Sequence, residues 1–262
     1  MQMPLSLLAT CAALVLAVSP SSLRAQTSYW QPKPGTTFQI QLGGLPVDQT
    51  VEADVFDIDP DDNDAAVVAA LHARGRKVVA YVCAGSWENY RADAKLYPKT
   101  VLGKTLDGWP DERWLDIRRV ELLAPILRAR LDRARAAGFD AVEFDNLDGY
   151  TNQTGFPLTA ADQLAFNRFL AQEAHARGLA VGLKNDLDQV ADLVGDFDFA
   201  INEQCFYYQE SKQLKPFVRA GKPVFVIEYD LDPAKFCRKA RKLGFFAMRK
   251  RLSLNAWRET CP

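Results

Sequence analysis

The chain has 262 residues, 48% of them hydrophobic and 25% charged, which is too apolar for a disordered chain and long enough for one large domain. Its 32 lysines and arginines nearly balance 33 aspartates and glutamates, for a net charge of −1. That balance supplies no cationic face of the kind a nucleic-acid partner needs.

Residues Pro4 to Val18 form an apolar run, followed by Ser19–Ser22 and then Leu23, Arg24, Ala25 and Gln26. This predicts a secretory signal peptide over 1–25 and a single mature domain over 26–262, although no Lys or Arg precedes the run. The run is short for a bilayer, and Cys11 follows Thr10 where lipoprotein signals carry a smaller residue, so no membrane anchor is expected. The mature chain is expected to be secreted or periplasmic. Removing residues 1–25 takes away Arg24 and no acid, leaving 31 basic against 33 acidic residues. The four remaining cysteines, Cys83, Cys205, Cys237 and Cys261, are an even number in an exported chain, so disulfides are expected with three pairings open. None has Cys-x-x-Cys spacing, and His72 and His175 are expected at the surface of helices, which argues against a zinc site. Neither a metal nor an organic cofactor is expected.

After Pro32, Pro34 and Gly35, the run Phe38 to Leu42 reads as a first strand and Val51 to Asp59 as a second. The acid run from Asp61 to Asp64 then opens a helix through Arg74; Asp64 and Ala70 stand where a calcium loop needs Gly and Glu, so acids in a helix's first turn are the better account. From here a unit recurs: a basic helix end, a glycine, then an apolar strand. HARG precedes KVVAYV, ARAAG precedes FDAVEF, HARG precedes LAVGLKND, VRAG precedes KPVFVIEY and ARKLG precedes FFAMRK. Gly75, Gly138, Gly178, Gly221 and Gly244 are the expected helix stops. With Phe197 to Cys205 there are eight strands, starting near 38, 51, 77, 141, 180, 197, 223 and 245. Eight strands alternating with helices predict an α/β fold closed as a (β/α)8 TIM-type barrel. An open doubly wound sheet is the alternative, disfavoured because no Gly-x-Gly-x-x-Gly turn follows the first strand. Trp87 to Arg119 is an aromatic-rich, helix-poor insertion after the third strand, read either as a sugar-stacking rim over the barrel mouth or as a satellite hydrophobic cluster.

In a barrel, the carboxyl ends of the strands share one concave face. Those ends carry Asp57; Tyr81 with Ser86 and Glu88; Asp145, Asn146 and Asp148; Lys184, Asn185 and Asp186; Asn202 and Glu203; Glu228 and Tyr229. Each carboxylate alone is explained by a helix cap or an ion pair. Their convergence is not, because like charges held together cost stability. Two carboxylates in unlike environments are what glycosidic chemistry needs.

The segments YVCAGSWENYR, LDGWPDERWLDIR, GFDAVEFDNLDGYTNQTGFPLT, GLKNDLDQV, DFDFAINEQCFYY and VFVIEYD together resemble glycoside hydrolase family 114, the endo-α-1,4-polygalactosaminidase family with a TIM-type barrel. The resemblance runs from about Tyr29 to the C-terminus. It implies hydrolysis of α-1,4-linked galactosamine-containing polysaccharide, with the two catalytic acids falling on Asp145 and Glu203. By analogy with retaining α-glycosidases, Asp145 is assigned as nucleophile and Glu203 as acid/base. Asp57, Tyr81, Trp87, Asp148, Tyr150, Lys184, Asn185, Asp186, Glu228 and Tyr229 are then candidates for binding the sugar, a cationic polymer being suited to an acidic cleft. The resemblance also makes Cys237 to Cys261 an attractive disulfide, with Cys83 and Cys205 either bridged or free. The protein is expected to act as a monomer. A non-catalytic glycan-binding barrel, or a glycosidase for another linkage, stays open on these residues.

Overall fold

A computed structural model describes residues 29–262; the expected signal peptide lies outside the described residues. The chain begins with strands β1 (Phe38–Gln41), β2 (Val55–Ile58) and β3 (Lys77–Cys83), separated by a helix-free loop and then by helix α1 (Ala65–Ala73). The insertion follows as β4 (Ser86–Glu88), β5 (Leu102–Leu106) and β6 (Trp109–Leu115). Then come helix α2 (Val120–Ala136), β7 (Ala141–Asp145), α3 (Ala160–Ala176), β8 (Ala180–Lys184), α4 (Val190–Leu193) and β9 (Phe199–Glu203). Helix α5 (Lys215–Arg219), β10 (Val224–Glu228), α6 (Pro233–Leu243), β11 (Phe246–Lys250) and β12 (Arg258–Thr260) complete it.

Among the described residues, β1, β2, β3, β7, β8, β9, β10 and β11 pair in that order, and every pair is parallel. The expected set of eight is therefore present. The sheet curls on itself because residues of one parity from each strand meet in the middle. Phe38, Val79, Ala141, Phe199, Phe225 and Met248 belong to one interior cluster, and the Phe38 ring of β1 stacks on Phe225 of β10 with centroids 4.5 Å apart. Residues of the other parity, such as Phe56, Val78, Val142, Val181 and Val226, form a second core with the helices outside. This double burial is why the strands read as continuous apolar runs.

A ninth strand, not foreseen, sits at the seam between the first and eighth. β12 pairs antiparallel with β11, the Arg258 guanidinium donates to the Phe38 carbonyl at 2.7 Å, and the Leu42 N–H donates to the Leu254 carbonyl at 3.0 Å. The Cys237–Cys261 disulfide fastens this segment to α6, while Cys83 and Cys205 are buried free thiols.

All five expected stop glycines take positive φ, between 71° and 94°. Three boundaries move. β2 starts at Val55, not Val51, because the Asp54 carboxylate turns back to accept the Thr37 N–H at 2.8 Å and holds 51–54 as a bend. The strand expected from Phe197 starts at Phe199, since Asp198 accepts the Val181 N–H at 2.9 Å through its side chain. Helix α1 starts at Ala65: Asp64 is its N-cap, accepting from the Ala66 and Val67 N–H groups, and no acid lies in its first turn. His72 is exposed, as expected, and pairs with Asp140 at 2.7 Å, whereas His175 is half-buried against Asp198 at 2.8 Å.

The insertion folds as a small antiparallel sheet in the order β4-β6-β5. Tyr97 and Trp114 are buried and Trp87 is half-buried against the outer core, whereas Tyr90 and Trp109 are exposed. The satellite hydrophobic cluster is thus present, built on Tyr97, Trp114 and Trp87. Among the described residues no helix is long and apolar enough to cross a membrane.

Candidate active site

Directly above the apolar interior layer, the same inward positions turn polar, supplied by Tyr81, Glu143, Asp145, Lys184 and Glu203 from four neighbouring strands. Lys184 is at their centre. Its Nζ lies 3.1 Å from Glu143 Oε1, 3.1 Å from Asp145 Oδ1 and 3.5 Å from Glu203 Oε2, with the side chain 5% exposed. Burial disfavours its charge, but the carboxylates of Asp145, Glu143 and Glu203 more than offset this and hold Lys184 as an ammonium. Room for the arrangement comes from Gly182, one layer down: a Cβ there would stand 2.4 Å from the Phe199 ring.

Asp145 also accepts the Tyr81 hydroxyl at 2.8 Å on Oδ2 and the Asn146 N–H at 2.9 Å on Oδ1. Burial works to raise its pKa, yet the Lys184 charge, the Tyr81 hydroxyl and the Asn146 N–H together hold it below the usual carboxylate value. Asp145 is therefore ionised. Glu203 accepts a hydrogen bond from the Tyr229 hydroxyl, and its own N–H donates to Asn185 Oδ1 at 3.0 Å. Asn185 thereby sets the backbone of Glu203 from the adjacent strand.

The residue after each of Asp145, Lys184 and Glu203 turns left-handed: Asn146 at φ 63°, Asn185 at φ 52° and Gln204 at φ 61°. Such a turn takes the chain off the strand at once and leaves the charged side chain at the rim. Asparagine tolerates it well, glutamine less so.

Asp148, Tyr150, Asn185, Asp186 and Glu203 line one cavity of about 340 Å³, together with Asp188 and Glu210. Among the described residues, no lysine or arginine lines it. Burial, then the nearby Asp145 charge, lifts Asp148 to about 6; burial, then Asp148, lifts Asp186 to about 7. An entering cation would relieve that crowding of negative charge.

Other candidates lie elsewhere. Asp57 is fully buried beneath the site, and burial followed by the Glu143 charge pushes it well above the usual carboxylate range. It is a protonated partner of Glu143, out of reach of any sugar. Glu228 points out of the barrel, is fully buried and accepts the Phe206 N–H at 2.8 Å, so it braces the loop after Glu203. Glu88 is 1% exposed and bonds Arg91, which also reaches Asp59. Trp87 donates its indole N–H to the Ala94 carbonyl at 2.9 Å inside the insertion. Of the strand-end acids, Asp145, Asp148, Asp186 and Glu203 meet at the mouth, whereas Asp57, Glu88 and Glu228 are held in buried contacts.

Two contributors, Glu143 and Glu112, are absent from the strand-end candidates, whereas Asn146 and Ser86, which link Glu112 to the site, are among them. Glu143 looked like an interior strand residue, though its parity with Asp145 was a usable signal. Asn146 donates to Ser86 Oγ at 2.9 Å, and Ser86 donates to Glu112 of the insertion at 2.7 Å. Glu112, carried to about 7 by burial and by the charges of Glu88 and Asp145, has no sequence neighbour at the site that would have signalled it.

The sequence profile of glycoside-hydrolase family GH114 matches residues 19–262. The chain belongs to glycoside-hydrolase family GH114. The crystal structure of Aspergillus fumigatus Ega3 in complex with galactosamine is 40% identical, superposes with a TM-score of 0.85, and aligns 90% of this chain with 98% of that one. The glycoside hydrolase domain of PelA from Pseudomonas aeruginosa shares the fold at 15% identity, with a TM-score of 0.64 over 85% of this chain and 97% of that one. A protein of Deinococcus radiodurans is 30% identical over 217 residues, 71% of this chain, which spans 66% of that relative's length. The GH114 member described here is thus a TIM-barrel glycoside hydrolase.

Proposed function

We propose that this GH114 enzyme is a secreted, endo-acting, retaining hydrolase of α-1,4-linked galactosamine-containing polysaccharide. The observation that carries the reading is the shared contact of Asp145 and Glu203 with one nitrogen. Lys184 Nζ lies 3.1 Å from one carboxylate and 3.5 Å from the other, so those two oxygens are separated by no more than the sum of the two distances, 6.6 Å. Retaining enzymes place the two groups about 5–5.5 Å apart, and inverting ones about 6.5–9.5 Å. The bound favours retention.

In this reading Asp145, ionised, attacks the anomeric carbon while Glu203, protonated, gives its proton to the glycosidic oxygen as that bond breaks. Glu203 then takes a proton from the incoming water, and the water oxygen displaces Asp145. Tyr81 and Lys184 keep the nucleophile ionised and fixed in direction; Tyr229 and Asn185 do the orienting for Glu203. The acidic cavity of Asp148, Tyr150, Asn185 and Asp186 fits a sugar carrying an ammonium, and Ega3, crystallised with galactosamine, supports that substrate class. Export rests on the leader-like residues 1–25 and on the Cys237–Cys261 disulfide, a bond that persists in oxidising compartments. The protein acts as a monomer. N-terminal sequencing of the exported protein tests the leader: a mature start at Gln26 supports it, and retention of residues 1–25 on a cytosolic protein contradicts it.

The chemistry is tested by trapping. A 5-fluoro galactosaminyl fluoride, which keeps the 2-amino group and loses fluoride on attack, should label Asp145 in the wild type, seen as one modified peptide by mass spectrometry, and no label should form in Asp145→Asn. Turnover without any covalent intermediate, with inverted anomeric configuration in the product, would overturn retention.

A further inference from the structure

The two sides of Glu203 differ in charge. On one side is the acidic cavity, without lysine or arginine in its lining among the described residues. On the other, a second cavity of about 540 Å³ opens beyond Gln204 and Tyr229, and its walls carry Arg249, Arg251 and Trp257 against a single carboxylate, Asp230. Glu203 lines the first cavity, and the second is lined by its hydrogen-bond partner Tyr229 and by Gln204, the next residue in the chain.

We propose that this second cavity is a sugar subsite across the scissile bond that takes a residue with no ammonium, such as an N-acetylated aminosugar, so that the enzyme cuts where an amine-bearing sugar meets an amide-bearing one. The inference rests on the glycosidase reading above and adds a charge requirement on the far side of the cut. An ammonium entering there would face two guanidiniums and one carboxylate. Arg249 is fixed by donating to the Tyr229 carbonyl at 3.1 Å, and the Arg251 guanidinium lies 4.9 Å from the centre of the Trp257 ring. Lys250, at the cavity wall, is 1% exposed and donates to the Asn255 carbonyl at 2.6 Å; burial, then Arg258, lowers it to about 7, so at and below neutral pH it adds to the positive charge. A neutral acetamido sugar pays no such repulsion. Trp257, 37% exposed, offers it an apolar ring edge, and Asp230 and Arg251 offer hydroxyl partners.

The test uses three α-1,4-galactosamine oligosaccharide pools, fully deacetylated, fully N-acetylated and partly N-acetylated, with both new ends of every product identified by tandem mass spectrometry. The subsite predicts that the partly acetylated pool is cut fastest, about tenfold above the fully deacetylated one, with an amine sugar at one new end and an acetylated sugar at the other in nearly every product. Arg251→Glu should reverse part of this preference, speeding the deacetylated pool several-fold relative to the mixed one. Amine sugars at both new ends, or an unchanged preference in Arg251→Glu, overturn the subsite alone. Hydrolysis of none of the three pools overturns the glycosidase reading and the subsite with it.

Discussion

Removing the Lys184 ammonium would leave Glu143, Asp145 and Glu203 facing one another without a counter-charge. Lys184→Met should therefore destabilise the fold by about 3–5 kcal/mol, the usual penalty for an uncompensated buried charge. It should also raise the acid limb of the pH–rate profile, because Asp145 loses the interaction that keeps it ionised. Denaturant unfolding and a pH series on the same preparation separate the two effects. Asp186 predicts the opposite sign. Burial and Asp148 lift it to about 7 in the folded chain, above about 3.9 in the unfolded one, so its protonated form favours folding and that stability is lost as pH rises through 7. Asparagine tolerates the left-handed φ of 45° and can still accept from Asn167. Asp186→Asn should accordingly raise the melting temperature by a few degrees at pH 8, about 1 kcal/mol, with the gain vanishing towards pH 4. Affinity for a cationic sugar should fall in the same variant. In the wild type, Michaelis constants for such a sugar should decrease between about pH 6 and 7 as Asp148 and Asp186 ionise; a flat profile there would contradict the role of both groups.

At the scale of elements, the insertion packs against the loop that follows Asp145, the proposed nucleophile. β4 begins one residue after Gly85, and a Cβ at Gly85 would lie 1.7 Å from the Asn146 carbonyl oxygen. Gly85→Ala must push that backbone away and move Asp145 with it. Activity should fall at least ~100-fold, since a displacement of about 1 Å costs that much in near-attack geometry, while circular dichroism keeps its native shape. Retained activity would mean the loop yields without moving the carboxylate. The recurring basic helix end, glycine and apolar strand made the barrel legible, because each feature acts within a few residues. Asp145, Lys184 and Glu203 were legible for a related reason: they end strands whose apolar runs needed no charge. Glu228 and Asp57 misled for different reasons: parity turns Glu228 out of the barrel, whereas Asp57 faces in but lies too deep, buried against Glu143 beneath the site. Glu112 was invisible because its link to the site passes through Ser86 and Asn146 across 26 and 60 residues of sequence.

For the whole molecule, the seam between first and eighth strands is where closure depends on the C-terminal tail. β12 is three residues long and is held by its ladder with β11, by Arg258 and by Cys261. The disulfide closes a loop of separation 24, for which chain entropy gives about 3 kcal/mol. Cys237→Ser with Cys261→Ser should lower the melting temperature by roughly 6–12 °C and expose the C-terminus to carboxypeptidase; an unchanged melting curve would show that the tail is held without it. The account's central claim is that Asp145 and Glu203 cut a galactosamine polymer. It is tested most directly by reducing-end release from partly deacetylated α-1,4-galactosamine polymer, comparing the mature wild type with Asp145→Asn and Glu203→Gln. The account predicts short oligomers from the wild type and at least ~1,000-fold less from either variant, both folded and both still binding polymer. Equal release from wild type and variants, or polymer bound by the wild type and never cut, would contradict it.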